Sequence, residues 1–100
     1  AEILWRLDPN STEALNIVNQ IRARAYDPDQ PLSVLNAGAL LDERGRELFY
    51  EGVRRQDMIR FGVFGNPTQF MPGSEPCKEI WPIPFVQLTG GANIQQNPCY

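Results

Sequence analysis

Histidine is absent from this chain of 100 residues, and cysteine occurs only twice. The missing histidine removes the most common general base and the most common neutral metal ligand of proteins. The cysteines, Cys77 and Cys99, stand apart in Pro- and Gly-rich surroundings, without the close pairing of a zinc site or a CxxC redox motif. We therefore expect no metal site and no cofactor, whereas a disulfide bridge between the two cysteines stays open.

Long apolar runs and clusters of positive charge are also missing. No segment of 18 apolar residues and no signal peptide occurs. Nine basic residues are interleaved with twelve acidic ones, the net charge is −3 and the pI is near 4.8, so we expect no nucleic acid partner. The chain begins at Ala1 without a methionine, which predicts an internal piece of a longer protein.

What is present predicts a mainly α protein. A hydrophobic content of 42% over this length suits a single globular unit with a modest core. Residues 1–7 resemble the last turns of a helix that Asp8-Pro9 ends. Periodicity then predicts two antiparallel helices, at about 11–26 and 36–61, joined by the solvated linker DPDQP. The capping candidates are Asn10 or Ser11 for the first helix and Ser33 or Asn36 for the second.

The second of these helices carries a stripe of charged residues spaced three or four apart. They are able to form a ladder of ion pairs: Arg44, Glu47, Glu51, Arg54 and Asp57. A solvated ladder would contribute little stability, so its regularity predicts burial beneath the C-terminal tail. On the apolar side, Gly45 and Gly52 predict a groove in which another backbone comes close.

Two carboxylates of this stripe also suggest an enzymatic alternative. Glu47 and Glu51 lie one turn apart on the predicted helix, and they would be the two carboxylates of a glycoside hydrolase. Each has an arginine at helical spacing, which would keep it ionised and lower its pKa. A general acid needs a raised pKa, so we assign no catalytic residue and expect that the protein is not an enzyme.

After the long helix, which Gly62 is expected to end, residues 62–100 are predicted to be a loop and an extended, Pro-rich tail. Pro82 and Pro84 exclude a helix over residues 80–85. Opposite the prolines lies an apolar comb, the tail clamp, which we expect to pack on the helices: Trp81, Ile83 and Phe85. The alternative for Trp81 is a sugar-stacking platform. Four tail amides are expected to bind backbone groups rather than carbohydrate hydroxyls: Asn93, Gln95, Gln96 and Asn97.

Four segments resemble the C-terminal end of the SusD/RagB family of outer-membrane nutrient-binding lipoproteins. They are NQIRARAYDP at 19–28, LLDERGRELFYEGVRRQDMIRFGVF at 40–64, WPIPFVQL at 81–88 and QQNPCY at 95–100. The resemblance implies that residues 1–100 are the C-terminal portion of a SusD-like domain, a tetratricopeptide-like helical hairpin within an α/α superhelix. Such relatives usually end in NPGY, and Cys99 replaces that glycine. If the position needs a positive φ, Cys99 is strained or the turn is altered.

The same resemblance implies a function without catalysis. Relatives bind glycans or other nutrients and deliver them to a SusC-like TonB-dependent transporter. An N-terminal lipid, outside this chain, anchors them to the outer membrane at the cell surface. Family glycan sites are built mainly in loops upstream of this region, so no ligand-binding residue and no metal ligand is assigned to it. The alternative is a generic helical-repeat scaffold that binds another protein through the groove between its helices.

Overall fold

The computed structural model of the chain describes residues 1–91 and 93–100. These residues contain no β-strand, which confirms the mainly α class. The helices are α1 Glu2–Leu7, α2 Thr12–Ala25, α3 Ala37–Glu47, α4 Arg54–Arg60, a 3-10 turn at Pro76–Glu79, and α5 Phe85–Gly90. The described chain divides into two compact units, Ala1–Asp57 and Met58–Tyr100. Within the described residues, every helix is too short or too polar to cross a membrane.

The local signals at the start of the first predicted helix are confirmed. The side chain of Ser11 accepts a hydrogen bond from the Ala14 amide at 3.2 Å, so Ser11 is the N-cap of α2. At the other end, the residue after Ala25 has extended backbone angles, and α2 stops before the DPDQP linker as expected. Asn36 caps α3 in the same way, by accepting from the Ala39 amide at 2.9 Å.

The single long helix predicted over residues 36–61 is wrong. α3 ends at Glu47, and α4 begins only at Arg54. Between them lies a turn in which Tyr50 has φ 72° and Gly52 has φ 75°, both in the left-handed region. Aromatic residues and glycine are weak helix formers, and glycine costs roughly 1 kcal/mol inside a helix. The charge repeat runs through this turn, so spacing alone did not indicate the break.

The segment between α2 and α3 runs back along α2 rather than simply joining two neighbouring ends. The carbonyl of Gln30 accepts from Arg22 Nε at 2.7 Å. Two residues later, Leu32 bonds with Asn19, one turn nearer the start of α2: its amide donates to Asn19 Oδ1 at 2.8 Å, and its carbonyl accepts from Nδ2 at 3.0 Å. Residues 26–36 are therefore a return segment fastened by side chains of α2.

The ion pairs between α2 and α3 follow the same order along both helices, as in a parallel pair. Arg22 pairs with Glu43, and further along both helices Arg24 pairs with Glu47. An antiparallel pair would show the opposite order, so the contacts differ from the antiparallel hairpin that the sequence predicts. The reason is the length of the return segment: eleven extended residues span roughly 35 Å, more than the roughly 21 Å of a 14-residue helix.

Apolar packing in the unit Ala1–Asp57 is modest, as its length suggests. Its buried apolar side chains come from α2, the return segment and α3: Ala14, Val18, Leu35, Leu40 and Leu41. Trp5 of α1 is half-buried, and its indole Nε1 donates to the Leu35 carbonyl at 3.2 Å. Three charged side chains are buried with this core: Arg22, Glu43 and Asp57.

The unit Met58–Tyr100 starts at a helix end that the sequence predicts correctly. Gly62 has φ 69° and its amide donates to the Ile59 carbonyl at 2.9 Å, so glycine ends α4 in the left-handed region. Helix α5 lies where the sequence predicts an extended, irregular tail. A proline with φ −56° is compatible with a helix that begins at the next residue, and α5 begins at Phe85.

Candidate functional site

A buried ion-pair cluster joins α2, α3 and the return segment. Glu43 of α3 is 5% exposed, and its Oε2 accepts from Arg22 Nη1 and from Arg46 Nη2, both at 2.7 Å. Arg22 also donates to the Gln30 carbonyl, and its guanidinium lies 4.7 Å from the centre of the Tyr26 ring. Arg22 of α2 therefore links the return segment to the Glu43 carboxylate of α3.

The charge state of this cluster follows from its hydrogen bonds. Burial raises the pKa of Glu43, but the hydrogen bonds from Arg46 and Arg22 and their positive charges outweigh it, so the pKa of Glu43 is lowered. The pKa of Arg46 is raised, chiefly by its hydrogen bond to Glu43. An ionised, doubly paired carboxylate is unsuited to be a general acid, and the cluster acts as a structural junction.

The predicted ladder is divided among separate ion pairs. Arg44 Nε donates to Asp57 Oδ2 at 2.8 Å and lies 4.0 Å from a carboxylate oxygen of Glu2 in α1. Asp57 is 2% exposed, and it is the one buried member of the five. Arg44 thus bridges α1, α3 and α4, across the break in the predicted helix.

The remaining ladder members are exposed and contact other residues. Glu47 pairs with Arg24 of α2, and Arg54 lies 3.8 Å from Asp42. Glu51 falls in the turn between α3 and α4, so helical spacing does not relate it to Glu47. The hydrolase alternative therefore loses the helical spacing on which it was based, and the functional role of the five charged residues stays a prediction.

The glycines predicted to admit another backbone serve two different purposes. A Cβ at Gly45 would lie 2.7 Å from Arg54 Nη1, so the close neighbour is a guanidinium. The same guanidinium donates to the Leu41 carbonyl. Gly52 instead supplies a left-handed residue to the turn, with no atom near its missing Cβ.

Replacing Gly52 with alanine is expected to lower the free energy of unfolding by about 1 kcal/mol, because alanine disfavours the left-handed region. An added Cβ meets nothing within 4 Å, so the effect comes from the backbone alone. Gly38→Ala in α3 is the control, expected to be neutral or stabilising by up to about 1 kcal/mol. Equal stability of the two variants in chemical denaturation would show that the turn is wrongly described.

Two concave surfaces occur in the unit Ala1–Asp57, and the second is lined by Gly45 and Gly52, the glycines from which the sequence predicts a groove. One is an apolar groove of about 250 Å³ between α2 and α3, whose apolar lining is Ile17, Val18, Ile21, Leu40 and Leu48. The other is a depression of about 550 Å³ beside the turn, where Phe49 and Tyr50 are exposed with ring centres 5.9 Å apart. The depression falls within the roughly 300–1,000 Å³ that is typical of small-molecule sites, and the groove lies just below this range.

Side chains of the C-terminal residues form hydrogen bonds with the backbone of residues 80–83, as a neighbouring strand would do. The amide of Ile83 donates to Gln96 Oε1 at 2.7 Å, and its carbonyl accepts from Gln96 Nε2 at 2.9 Å. Asn97 Nδ2 donates to the Trp81 carbonyl at 2.7 Å, and Tyr100 donates its hydroxyl to the Ile80 carbonyl at 3.1 Å. For Gln96 and Asn97, the prediction that tail amides bind backbone groups is confirmed.

The predicted tail clamp is mostly solvent-exposed. Trp81 is 66% exposed and Phe85 is 77% exposed, whereas Ile83 is half-buried. The predicted alternation stops at Pro84, since Phe85 is already the first residue of α5. The packing of these three side chains on the helices stays a prediction, and so does the alternative of Trp81 as a sugar platform.

Cys77 and Cys99 form a disulfide bridge, with Cα atoms 6.0 Å apart. Cys99 has φ 76°, so the position at which relatives usually carry the glycine of NPGY has a positive φ in this chain as well. Glu75 Oε2 lies 3.0 Å from Cys99 Sγ and 3.7 Å from Cys77 Sγ. Among the described residues these three form the one cluster of metal-type ligand atoms, but bridged sulfurs offer no thiolate to a metal ion.

The chain was compared with known protein families and proteins. A model of the SusD family matches residues 1–73 of the chain. The starch-binding protein SusD of Bacteroides thetaiotaomicron is 29% identical over 109 aligned residues, which cover 100% of this chain and 19% of that protein. The chain thus spans about a fifth of the length of this curated relative.

Proposed function

The chain belongs to the SusD family, and we propose that it is the C-terminal portion of a cell-surface protein that binds glycans or other nutrients without cleaving them. The observation that carries this proposal is that the alignment with a starch-binding relative covers 100% of the chain. The glycan class stays open, because the relative is named for starch and the chain is 29% identical to it.

Within that protein, we propose a supporting role for residues 1–100. The cluster around Glu43 is internal to the unit Ala1–Asp57 and consists of paired, ionised groups. Arg44 and Asp57 form a second junction within the same unit. Such contacts position elements rather than transform a substrate, so ligand contacts are expected upstream of this region.

The partners follow from the family. We propose delivery of the ligand to a SusC-like TonB-dependent transporter, and anchoring of the full-length protein to the outer membrane by an N-terminal lipid. Isolation of the full-length protein from membranes with a transporter of this class is the expected result. Recovery from the soluble fraction, without such a transporter, would contradict both parts.

Binding without cleavage is tested on the purified full-length protein. Affinity electrophoresis and titration calorimetry against starch, xylan and mannan are expected to show binding to at least one of them, and incubation is expected to release no reducing sugar. Trp81→Ala is expected to leave the affinity unchanged. An affinity loss of tenfold or more, at unchanged stability, would instead place a sugar platform at Trp81, since stacking of this kind contributes about 1.4 kcal/mol or more.

A protein-interaction scaffold is the second candidate, and the apolar groove between α2 and α3 favours it. Its polar margin is formed by charged residues such as Arg44 and Glu47, and the apolar lining suits a partner helix. The two candidates differ in outcome: a scaffold binds none of the polysaccharides, and its partner is lost on Ile21→Glu, a substitution in the groove.

A further inference from the structure

The last residues of the unit Met58–Tyr100 are fastened at two places of different chemistry. Gln96 bonds both backbone groups of Ile83, which no reductant affects. Three residues later, Cys99 is bridged to Cys77. Because the bridge spans 22 positions, it closes a loop that includes α5.

We propose that the Cys77–Cys99 bridge is a redox-sensitive clasp that holds residues 98–100 in place, while Gln96 holds residues 95–97 independently of it. Reduction of the clasp then releases the end of the described chain, including Tyr100, and leaves the extended segment at Ile83 ordered. The inference does not depend on the proposed binding function.

The backbone at residue 99 supplies the reason for release. A side chain with a Cβ disfavours the left-handed region, which glycine enters freely, yet Cys99 has φ 76°. The covalent bond to Cys77 holds it there. Without the bond, residue 99 returns to negative φ, and this rotation moves Tyr100 away from the Ile80 carbonyl that accepts its hydroxyl.

The disulfide bridge is also accessible to reductants in solution. Cys99 is exposed and Cys77 is half-buried. A thiolate of a small dithiol attacks one bridge sulfur, forms a mixed disulfide with it and releases the other cysteine as a thiolate. The second thiolate of the reagent then attacks the reagent's own sulfur in the mixed disulfide and releases the first cysteine as a thiolate. The dithiol is oxidised to its own disulfide, and the two cysteines take up two protons as free thiols. The small dithiol is the two-electron reductant of the bridge.

Glu75 sets how fast this happens. Its carboxylate lies 3.0 Å and 3.7 Å from the two bridge sulfurs and repels an approaching thiolate. At an exposed site, one unit charge at about 5 Å changes such a rate by roughly threefold to fivefold. Glu75→Gln is expected to accelerate reduction by dithiothreitol by this factor at low salt, and 1 M salt is expected to abolish the difference. Equal rates at low salt would remove Glu75 from the proposal.

A fluorinated tyrosine placed at position 100 of the full-length protein tests the release directly. In the oxidised protein we expect a fluorine resonance shifted from its position in the denatured protein. Reduction should move the resonance to the denatured position, while hydrogen exchange at the Ile83 amide stays unchanged. An unmoved resonance after complete reduction, or equal loss of protection at Ile83, would overturn the proposal.

Two variants separate the bond from the backbone conformation. Both Cys77→Ser and Cys99→Gly lack the bridge, but only the first keeps a Cβ at the left-handed position. We expect the released resonance in Cys77→Ser and the held resonance in Cys99→Gly. Release in both variants would show that the backbone at residue 99 is not the cause. Gln96→Ala, with the bridge intact, is expected to keep Tyr100 held and to speed exchange at Ile83.

Discussion

Replacing Glu43 with alanine is expected to lower the free energy of unfolding by about 3 to 5 kcal/mol, the usual cost of breaking a buried ion pair from one side. The carboxylate accepts from Arg22 and Arg46 at 2.7 Å each. The side chain of Arg22 is 9% exposed, so its charge would be left buried without a counterion. Chemical denaturation of the full-length protein at pH 7 measures the effect.

The effect of Glu43 is expected to depend on pH in a defined direction. Its pKa is lowered in the folded state from the ordinary value of 4.5. A group of this kind stabilises the fold fully above its unfolded pKa and loses that contribution as the pH falls through the lowered folded pKa. The stability difference between the wild type and Glu43→Gln should therefore be constant from pH 7 down to about pH 5 and shrink in more acidic solution.

Glu47→Gln is the matched control for this substitution. Glu47 lies on the same helix and also pairs with an arginine of α2, Arg24, but the side chain of Arg24 is 67% exposed and that of Glu47 is 35% exposed. Its loss is expected to cost less than about 1 kcal/mol. Equal costs for Glu43→Gln and Glu47→Gln, or a difference that persists unchanged at pH 3, would refute the buried cluster.

The parts of the fold that the sequence predicts are those with local causes. Ser11 caps α2, Asn36 caps α3 and Gly62 ends α4, each through contacts within a few residues. The cluster around Glu43 was missed because its partners depend on the path of the return segment. One signal was present: Arg22 follows Ala14 and Val18 at four-residue spacing, which places a charge on the buried face of α2.

A second feature that the sequence did not indicate is a side-chain carboxamide that pairs with a backbone segment, and the structure contains two examples. In each case one carboxamide bonds both backbone groups of a residue that follows a proline: Asn19 with Leu32, and Gln96 with Ile83. Proline has no amide hydrogen, so the residue after it is the first in its segment able to pair in both directions. The sequence indicated that amides would bind backbone groups, but both partners lie 13 residues away, and their choice is a tertiary event.

Replacing Asp57 with alanine is expected to cost about 3 kcal/mol, for a reason that differs from the ladder first predicted. Asp57 is 2% exposed and accepts from Arg44 at 2.8 Å, although the two residues lie on different helices. It also lies in the first turn of α4, where a carboxylate favours the helix. Its removal affects the junction of α3 with α4 as well as the ion pair.

Arg54→Ala distinguishes this junction from a continuous ladder. If the stripe were one buried ladder, loss of Arg54 would cost about as much as loss of Asp57, near 3 kcal/mol. In the structure the side chain of Arg54 is 46% exposed, lies 3.8 Å from Asp42 and donates to the Leu41 carbonyl, so its loss is expected to cost about 1 to 2 kcal/mol, less than the loss of Asp57. Denaturation of both variants, with Arg44→Ala and the Arg44→Ala/Asp57→Ala double variant to give the coupling energy, decides between them. A coupling below about 0.5 kcal/mol would mean that the Arg44 to Asp57 contact does not hold the helices together.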